Sequence, residues 1–178
     1  IDKYDDASKG MDIWSNHIKS FGLGNFLGND LSVGKKGNIP NGAYYDSWYP
    51  DFKWGATTIL SNAIGQGEIL ATPIQLANMT AAIANKGYYY TPHIIKSIEG
   101  KEIEENFTTK KETSIDPEYF DPVIEGMHRV YTNGTASFLK VPGIEICGKT
   151  GTAENFTKID GVKTQLTDHS IFVAFAPK

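Results

Sequence analysis

Between Asp6 and Phe21 the apolar residues Ala7, Met11, Trp14, Ile18 and Phe21 recur in steps of four and three. That is one stripe of a 3.6-residue period, so an amphipathic helix is predicted there. Asp5 or Asp6 can cap its start, and Gly22 can end it in the left-handed conformation. From Gly22 to Pro50 the pattern breaks. Gly22, Gly24, Gly28, Gly34, Gly37, Pro40, Gly42 and Pro50 punctuate the stretch too often for a long helix, and a loop is expected. Tyr44, Tyr45, Trp48 and Tyr49 cluster inside it. These rings either pin the loop to the core or form the wall of a groove.

In Thr72-Pro73-Ile74-Gln75, Thr72 suits an N-cap, Pro73 a first helical position and Gln75 the far end of a capping box. The helix it opens runs through Leu76, Ala77, Met79, Ala81, Ala82, Ile83 and Ala84 to Gly87. It is apolar on nearly every side, which predicts burial at the centre of the domain. Tyr88 to Ile98 reads as a strand with Pro92 at an edge or bulge. Lys101 to Thr113 is charged and reads as a surface hairpin or mobile loop. A short turn near Asp116-Pro117 should precede a helix from Pro122, with Val123, Ile124, Met127, Val130 and Tyr131 inward and Asn133-Gly134 as its stop. Ile144 to Gly148 and Ser170 to Ala176 read as strands.

Composition narrows the class. A chain of 178 residues is one domain or a piece of one. With 40% hydrophobic and 21% charged residues it is globular. Its 18 glycines and 8 prolines favour a loop-rich fold over a helical bundle. The net charge of −4, with no long basic run, argues against nucleic acid as a partner. Cys147 is the single cysteine, which excludes an internal disulfide and a Cys-based zinc site. No apolar run reaches the ~18 residues of a membrane span. The chain opens on Ile1 without Met or signal peptide, so it is read as part of something longer.

Most catalytic patterns are missing. There is no G-x-S-x-G elbow, no H-E-x-x-H and no G-x-x-x-x-G-K-[ST] phosphate loop. His17, His93, His128 and His169 are scattered without ligand spacing. N-x-[ST] occurs at Asn78, Asn106, Asn133 and Asn155, and the first falls within the helix expected to be buried. Two features remain. Lys149-Thr150-Gly151-Thr152 sits at the end of a predicted strand. Beside a cleft, its lysine would supply positive potential, its threonine a hydroxyl for a carboxylate, and its glycine room for a substrate backbone. The plainer reading is a charged strand end entering a Thr-Gly turn. The second feature is Ile64-Gly65-Gln66-Gly67-Glu68, a glycine-hinged loop feeding the capped helix.

Together and in this order, these features resemble the transpeptidase domain of penicillin-binding proteins. Lys149-Thr150-Gly151 looks like that family's third active-site motif. The run from Gly65-Gln66-Gly67 through Thr72-Pro73-Ile74-Gln75-Leu76-Ala77 is similar to the elongation-type penicillin-binding protein 2 group. Phe21-Gly22-Leu23-Gly24, followed by Gly28, Asp30-Leu31, Gly37 and Pro40, resembles the loop before the central helix. His169 to Pro177 resembles the strand that pairs with the K-T-G strand. The resemblance implies an α+β fold of the penicillin-binding, serine β-lactamase-like kind, with helices packed on an antiparallel sheet.

Two family motifs have no counterpart. S-x-x-K must lie on a helix so that the lysine can take the serine proton. Ser32-Val33-Gly34-Lys35 lies in the glycine loop, and Ser137-Phe138-Leu139-Lys140 starts only about a dozen residues before Lys149. Neither fits the family's order, and S-x-N occurs nowhere. Residues 1–178 therefore read as the C-terminal part of a transpeptidase domain, incomplete and inactive alone.

For the parent protein the resemblance implies peptidoglycan cross-linking by serine acyl transfer on stem peptides ending in D-Ala-D-Ala. It implies trapping by β-lactams, a place on the periplasmic side of the bacterial inner membrane behind an N-terminal anchor, and elongation proteins as partners. Lys149 and Thr152 are the implied catalytic residues, Thr152 through its oxyanion-hole N–H. Thr150, Gly151 and Thr152 are the implied substrate contacts. No metal or organic cofactor is implied. The alternative is a non-catalytic relative, a β-lactam sensor or a binding module. A serine β-lactamase fits less well, because the loop and the G-Q-G run match the synthetic enzymes.

Overall fold

The computed structural model describes residues 6–51 and 53–178. They form two compact units, one reaching to Phe120 and one from Asp121 to Lys178. The fold is α+β, and every strand pair is antiparallel.

In the first unit, α1 (Ala7–Ser20) forms as expected. Asp6 is its cap, accepting the Ser8 N–H at 2.9 Å, and Asp5 lies outside the described residues. Gly22 follows at φ 87 and donates to Lys19 O at 2.9 Å. The predicted loop that follows contains a helix, α2 (Gly42–Trp48). Asn41 caps it by accepting the Tyr44 N–H at 3.0 Å. Gly42 lets it lie directly on α1, since a Cβ there would sit 2.0 Å from Ser8 Oγ. The helix was hidden because glycine and proline density argues for loop, whereas here Gly42 serves helix contact.

The aromatic cluster divides on this helix. Tyr45 is fully buried, edge-on to Tyr44 at 5.3 Å and 5.0 Å from Trp54, whereas Trp48 is 67% exposed. The Tyr45 hydroxyl donates to Glu68 Oε2 at 2.5 Å and accepts from Asn62 Nδ2 at 2.6 Å. Burial, with Glu68 beside it, pushes its phenol well above the usual tyrosine range. Tyr45 therefore pins the segment to the core. Asn62 belongs to α3 (Ala56–Ala63), a helix that sequence periodicity did not announce.

The helix α4 (Pro73–Ala84) carries both halves of the capping box. Its burial corrects the expectation of an apolar rod at the centre. Gln75, Asn78, Thr80 and Ala82 are its buried residues, while Ala77 and Ala81 are exposed. The inner face meets loop backbone, and loop carbonyls need donors. Gln75 Nε2 donates to Asn25 O and Lys36 O, both at 2.9 Å, and Asn78 Nδ2 donates to Phe21 O at 2.9 Å.

The strand expected over Tyr88 to Ile98 shrinks to β1 (Tyr88–Tyr89). Pro92 offers no N–H, and the Asp30 carboxylate takes the amides of Ile94 and Ile95 at 2.9 and 2.7 Å. These bonds hold the Asp30 carboxyl below its ordinary range, the Ile95 amide most of all. The charged stretch after it is not a free loop. It forms α5 (Glu105–Thr108) and β2 (Lys111–Glu112), which pairs with β1. Asn106 Nδ2 donates to Gly28 O at 2.8 Å, and Lys111 Nζ reaches Thr91 Oγ1 at 2.6 Å.

A 3-10 turn at Pro117–Tyr119 leads into α6 (Phe120–Thr132), which starts two residues before Pro122. A proline in the first turn removes no helical hydrogen bond. Ile124, Met127 and Tyr131 are buried on the inner stripe, but Val123 is exposed and Val130 half-buried. The remaining chain forms β3 (Cys147–Ala153), β4 (Phe156–Ile159), β5 (Val162–Gln165) and β6 (His169–Phe175). β4 and β5 make a hairpin about Asp160 (φ 51) and Gly161 (φ 82). Asp-Gly is a strong two-residue hairpin signal, and it went unread in the sequence.

Candidate functional site

The strand expected over Ile144 to Gly148 begins at Cys147 instead and runs to Ala153. Lys149, Thr150, Gly151 and Thr152 therefore lie inside a strand and not in a turn at its end. That removes the plainer reading of the motif. β6 pairs with the whole of β3, from Cys147 opposite Phe175 to Ala153 opposite His169. Among the described residues β3 has a strand partner on this edge alone.

Cys147 and Gly148 anchor the strand and are buried. Burial pushes the Cys147 thiol up, so it stays protonated near neutral pH and serves as packing. A Cβ on Gly148 would lie 2.7 Å from Phe172 Cζ of β6. Beyond these two residues the strand comes to the surface. Lys149, Gly151 and Thr152 are exposed and Thr150 is half-buried.

The segment between α6 and β3 is fixed to the helix. Ala136 is fully buried and donates its N–H to Val130 O at 3.0 Å. The Tyr131 hydroxyl bonds the Val141 N–H. Gly134 lies so close to the helix that a Cβ would be 2.8 Å from Val130 Cα. Thr135, between Gly134 and Ala136, thereby meets the strand, with its Oγ1 2.9 Å from Thr150 Oγ1. Thr135 carries no signal of its own in the sequence: Asn133-Gly134 announces only the helix stop, and no spacing rule announces a contact made across 15 residues.

A groove of about 400 Å³ opens here, with Arg129, Asn133, Thr135 and Lys149 in its wall. Lys149 Nζ bonds the Thr150 carbonyl, and among the described residues no carboxylate pairs with it. Arg129 is held by Glu125 at 3.0 Å, and Lys178 Nζ reaches the same carboxylate at 2.6 Å. Lys178 first and Arg129 second lower the Glu125 carboxyl to about 2. The site thus offers hydroxyls and a lysine without a carboxylate partner, which suits an anionic ligand. Among the described residues no cluster of His, Cys, Asp or Glu could hold a metal ion.

The two S-x-x-K strings lie where a serine–lysine pair on an α-helix would not be found. Ser32 to Lys35 has no helix, and Ser137 starts a 3-10 turn, Ser137–Leu139, that ends before Lys140.

Residues 6–178 match the penicillin binding protein transpeptidase domain. The chain belongs to that family. It is 31% identical to the peptidoglycan D,D-transpeptidase MrdA of Haemophilus influenzae, over 94% of this chain and 28% of that protein. Its fold is like that of Pseudomonas aeruginosa PBP2, solved in complex with WCK 5153. The TM-score is 0.74 with 31% identity, over 93% of this chain and 36% of that one. A structure described as a peptidoglycan synthase complex coordinating polymerization and crosslinking matches at TM-score 0.68 and 32% identity, over 84% of this chain and 24% of that one. The chain spans about 28% of the length of the curated relative. Among the described residues no helix is long and apolar enough to cross a membrane.

Proposed function

We propose that residues 1–178 are the C-terminal part of the transpeptidase domain of an elongation-type peptidoglycan D,D-transpeptidase. The parent works on the periplasmic side of the bacterial inner membrane, behind an N-terminal anchor. A serine from an S-x-x-K motif earlier in the parent attacks the carbonyl of the penultimate D-Ala of a stem peptide. The peptide bond breaks, the terminal D-Ala leaves with a proton on its new amine, and an acyl-enzyme remains. The amine of a neighbouring stem then attacks that ester, the ester bond breaks as the cross-link forms, and the amine gives up one of its own protons to the serine oxygen. β-Lactams mimic the D-Ala-D-Ala end and stop at the acyl-enzyme. The parent works beside the proteins that polymerise and shape the wall.

The observation that carries this reading is the mid-strand position of the K-T-G-T run, whose own Lys149 lines the groove and, among the described residues, pairs with no carboxylate. Lys149 supplies positive potential. Thr150 contacts the substrate carboxylate, and Gly151 leaves room for the peptide backbone along the strand. The Thr152 N–H is one donor of the oxyanion hole, the other coming from the nucleophilic serine, and such a donor is commonly worth ~10²–10³ in rate. The chemistry needs no metal or organic cofactor.

The test is acylation of the full-length parent by benzylpenicillin, read by intact mass and peptide mapping. One adduct is expected, on a serine that precedes residue 1 within S-x-x-K. A parent without a usable serine would leave a pure binding module, since an enzyme and a covalent sensor both need S-x-x-K.

A further inference from the structure

We propose that Thr135 is a positioning residue for Thr150. Its hydroxyl donates to the Thr150 oxygen and so leaves the Thr150 proton for the substrate carboxylate. The inference rests on the reading of Thr150 as the carboxylate contact.

The two oxygens are 2.9 Å apart, close enough for one hydrogen bond, and either can donate in the free protein. A threonine hydroxyl has one proton and two lone pairs. If Thr150 gave its proton to Thr135, it would present only lone pairs to an incoming anion. A carboxylate can only accept. Beside one, the pair has a single productive order: Thr135 donates to Thr150, and Thr150 donates to the carboxylate. Each bond in such a chain polarises the next, so Thr135 strengthens the donor it does not itself offer. It also limits the rotation of the Thr150 hydroxyl before the substrate arrives.

Thr135 is placed firmly enough for this role. Gly134 lies against the backbone of Val130, Ala136 is fully buried, and Tyr131 ties down Val141 beyond it. On the other side, β3 is held to β6 along its whole length. Among the described residues Thr135 is the one recorded hydrogen-bond partner of the Thr150 hydroxyl. The device should discriminate by charge. A full negative charge gains most from a polarised donor, and a neutral ester gains less.

The experiment measures the acylation rate constant of the full-length parent with benzylpenicillin and with its methyl ester. The proteins are wild type, Thr135→Val, Thr135→Ser and Thr150→Val. Valine keeps the shape of threonine and removes the hydroxyl, and thermal melts confirm that each variant is folded. Thr135→Val should lose about tenfold on benzylpenicillin and less than about twofold on the ester, with Thr135→Ser restoring most of the rate. Thr150→Val should lose at least as much on the acid as Thr135→Val. Wild-type behaviour of Thr135→Val beside an impaired Thr150→Val overturns the inference and leaves the reading of Thr150 standing. Equal losses on acid and ester in Thr135→Val also overturn it, since they mark a merely structural role. An unimpaired Thr150→Val removes Thr150 as the carboxylate contact, and the inference goes with it.

Discussion

A Cβ at Gly148 would come within 2.7 Å of Phe172 Cζ and 3.2 Å of the Val173 carbonyl, whereas one at Gly151 would meet nothing nearer than Ile171 Cβ at 3.9 Å. Neither residue has a positive φ, so backbone strain separates them no further. Gly148 is therefore required by packing against β6. Gly151 is not required by any neighbour among the described residues, so packing does not account for it, and its role as clearance for substrate is the proposal to test. Gly148→Ala should destabilise by roughly 1 kcal/mol, the low end for overpacking, because the Phe172 ring is part-exposed and can shift. Gly151→Ala should leave stability unchanged or raise it by up to ~1 kcal/mol, since the unfolded chain loses freedom. The same variant should slow acylation of the full-length parent well beyond any change in folding. Urea melts beside acylation rates check both, and a Gly151→Ala protein with wild-type kinetics would remove the clearance argument. Lys149→Ala belongs to the same scale. Exposed and, among the described residues, without a carboxylate partner, Lys149 contributes little to folding. Its loss should leave the melting curve in place and cut acylation by at least tenfold.

Gln75 does more on α4 than a capping box asks. Its Oε1 accepts the Thr72 N–H at 2.9 Å, and its Nε2 serves two loop carbonyls. Thr72→Ala should cost about 1 kcal/mol, the usual value of a lost N-cap. Gln75→Ala should cost more, about 2–4 kcal/mol, because it leaves a cavity and strands carbonyls at Asn25 and Lys36. Denaturant midpoints of the two variants rank them. On α6, Glu125 gives a pH signature. Its folded value near 2 lies below the ordinary 4.5, so the unfolded chain binds more protons between those values. Stability from this carboxylate is complete above about pH 4.5 and is lost as pH falls through about 2. Glu125→Gln should flatten that acid limb, and salt should shrink the difference because the pair is at the surface. What was legible at this scale follows from locality. The stripe of α1, the Thr72–Gln75 box and the strand at β6 are set by residues within a turn or two of each other. α2 was missed because Gly42 packs against α1, a contact that glycine content cannot announce. The long strand at Tyr88 failed because Asp30, more than 60 residues earlier in the chain, takes the amides it would have used. The K-T-G-T run declared itself by its motif, while Thr135, which touches it, has no motif at all.

For the molecule as a whole, the family resemblance was legible because motifs in fixed order are spread along nearly the whole chain. The comparisons agree over residues 6–178. The groove was not legible, since its wall is assembled only when α6 and β3 meet. The chain supplies a lysine, hydroxyls and a glycine-cleared strand, but neither S-x-x-K string places its serine one α-helical turn from its lysine. The 178-residue chain by itself should therefore form no covalent adduct with benzylpenicillin, even at long incubation. A negative result has meaning only if the strand is folded, and the protein carries its own reporter. Cys147 is the single thiol, fully buried at the start of β3 and held protonated by that burial. In the folded chain a thiol reagent should modify it many times more slowly than in urea, because the thiolate is scarce and the sulfur shielded. Slow Cys147 labelling together with an unchanged mass after penicillin treatment is the expected pair of results. Slow labelling with a stoichiometric penicillin adduct on Ser137 would instead show that the short turn before β3 supplies a working nucleophile, and the reading of this chain as a nucleophile-free part would have to be abandoned.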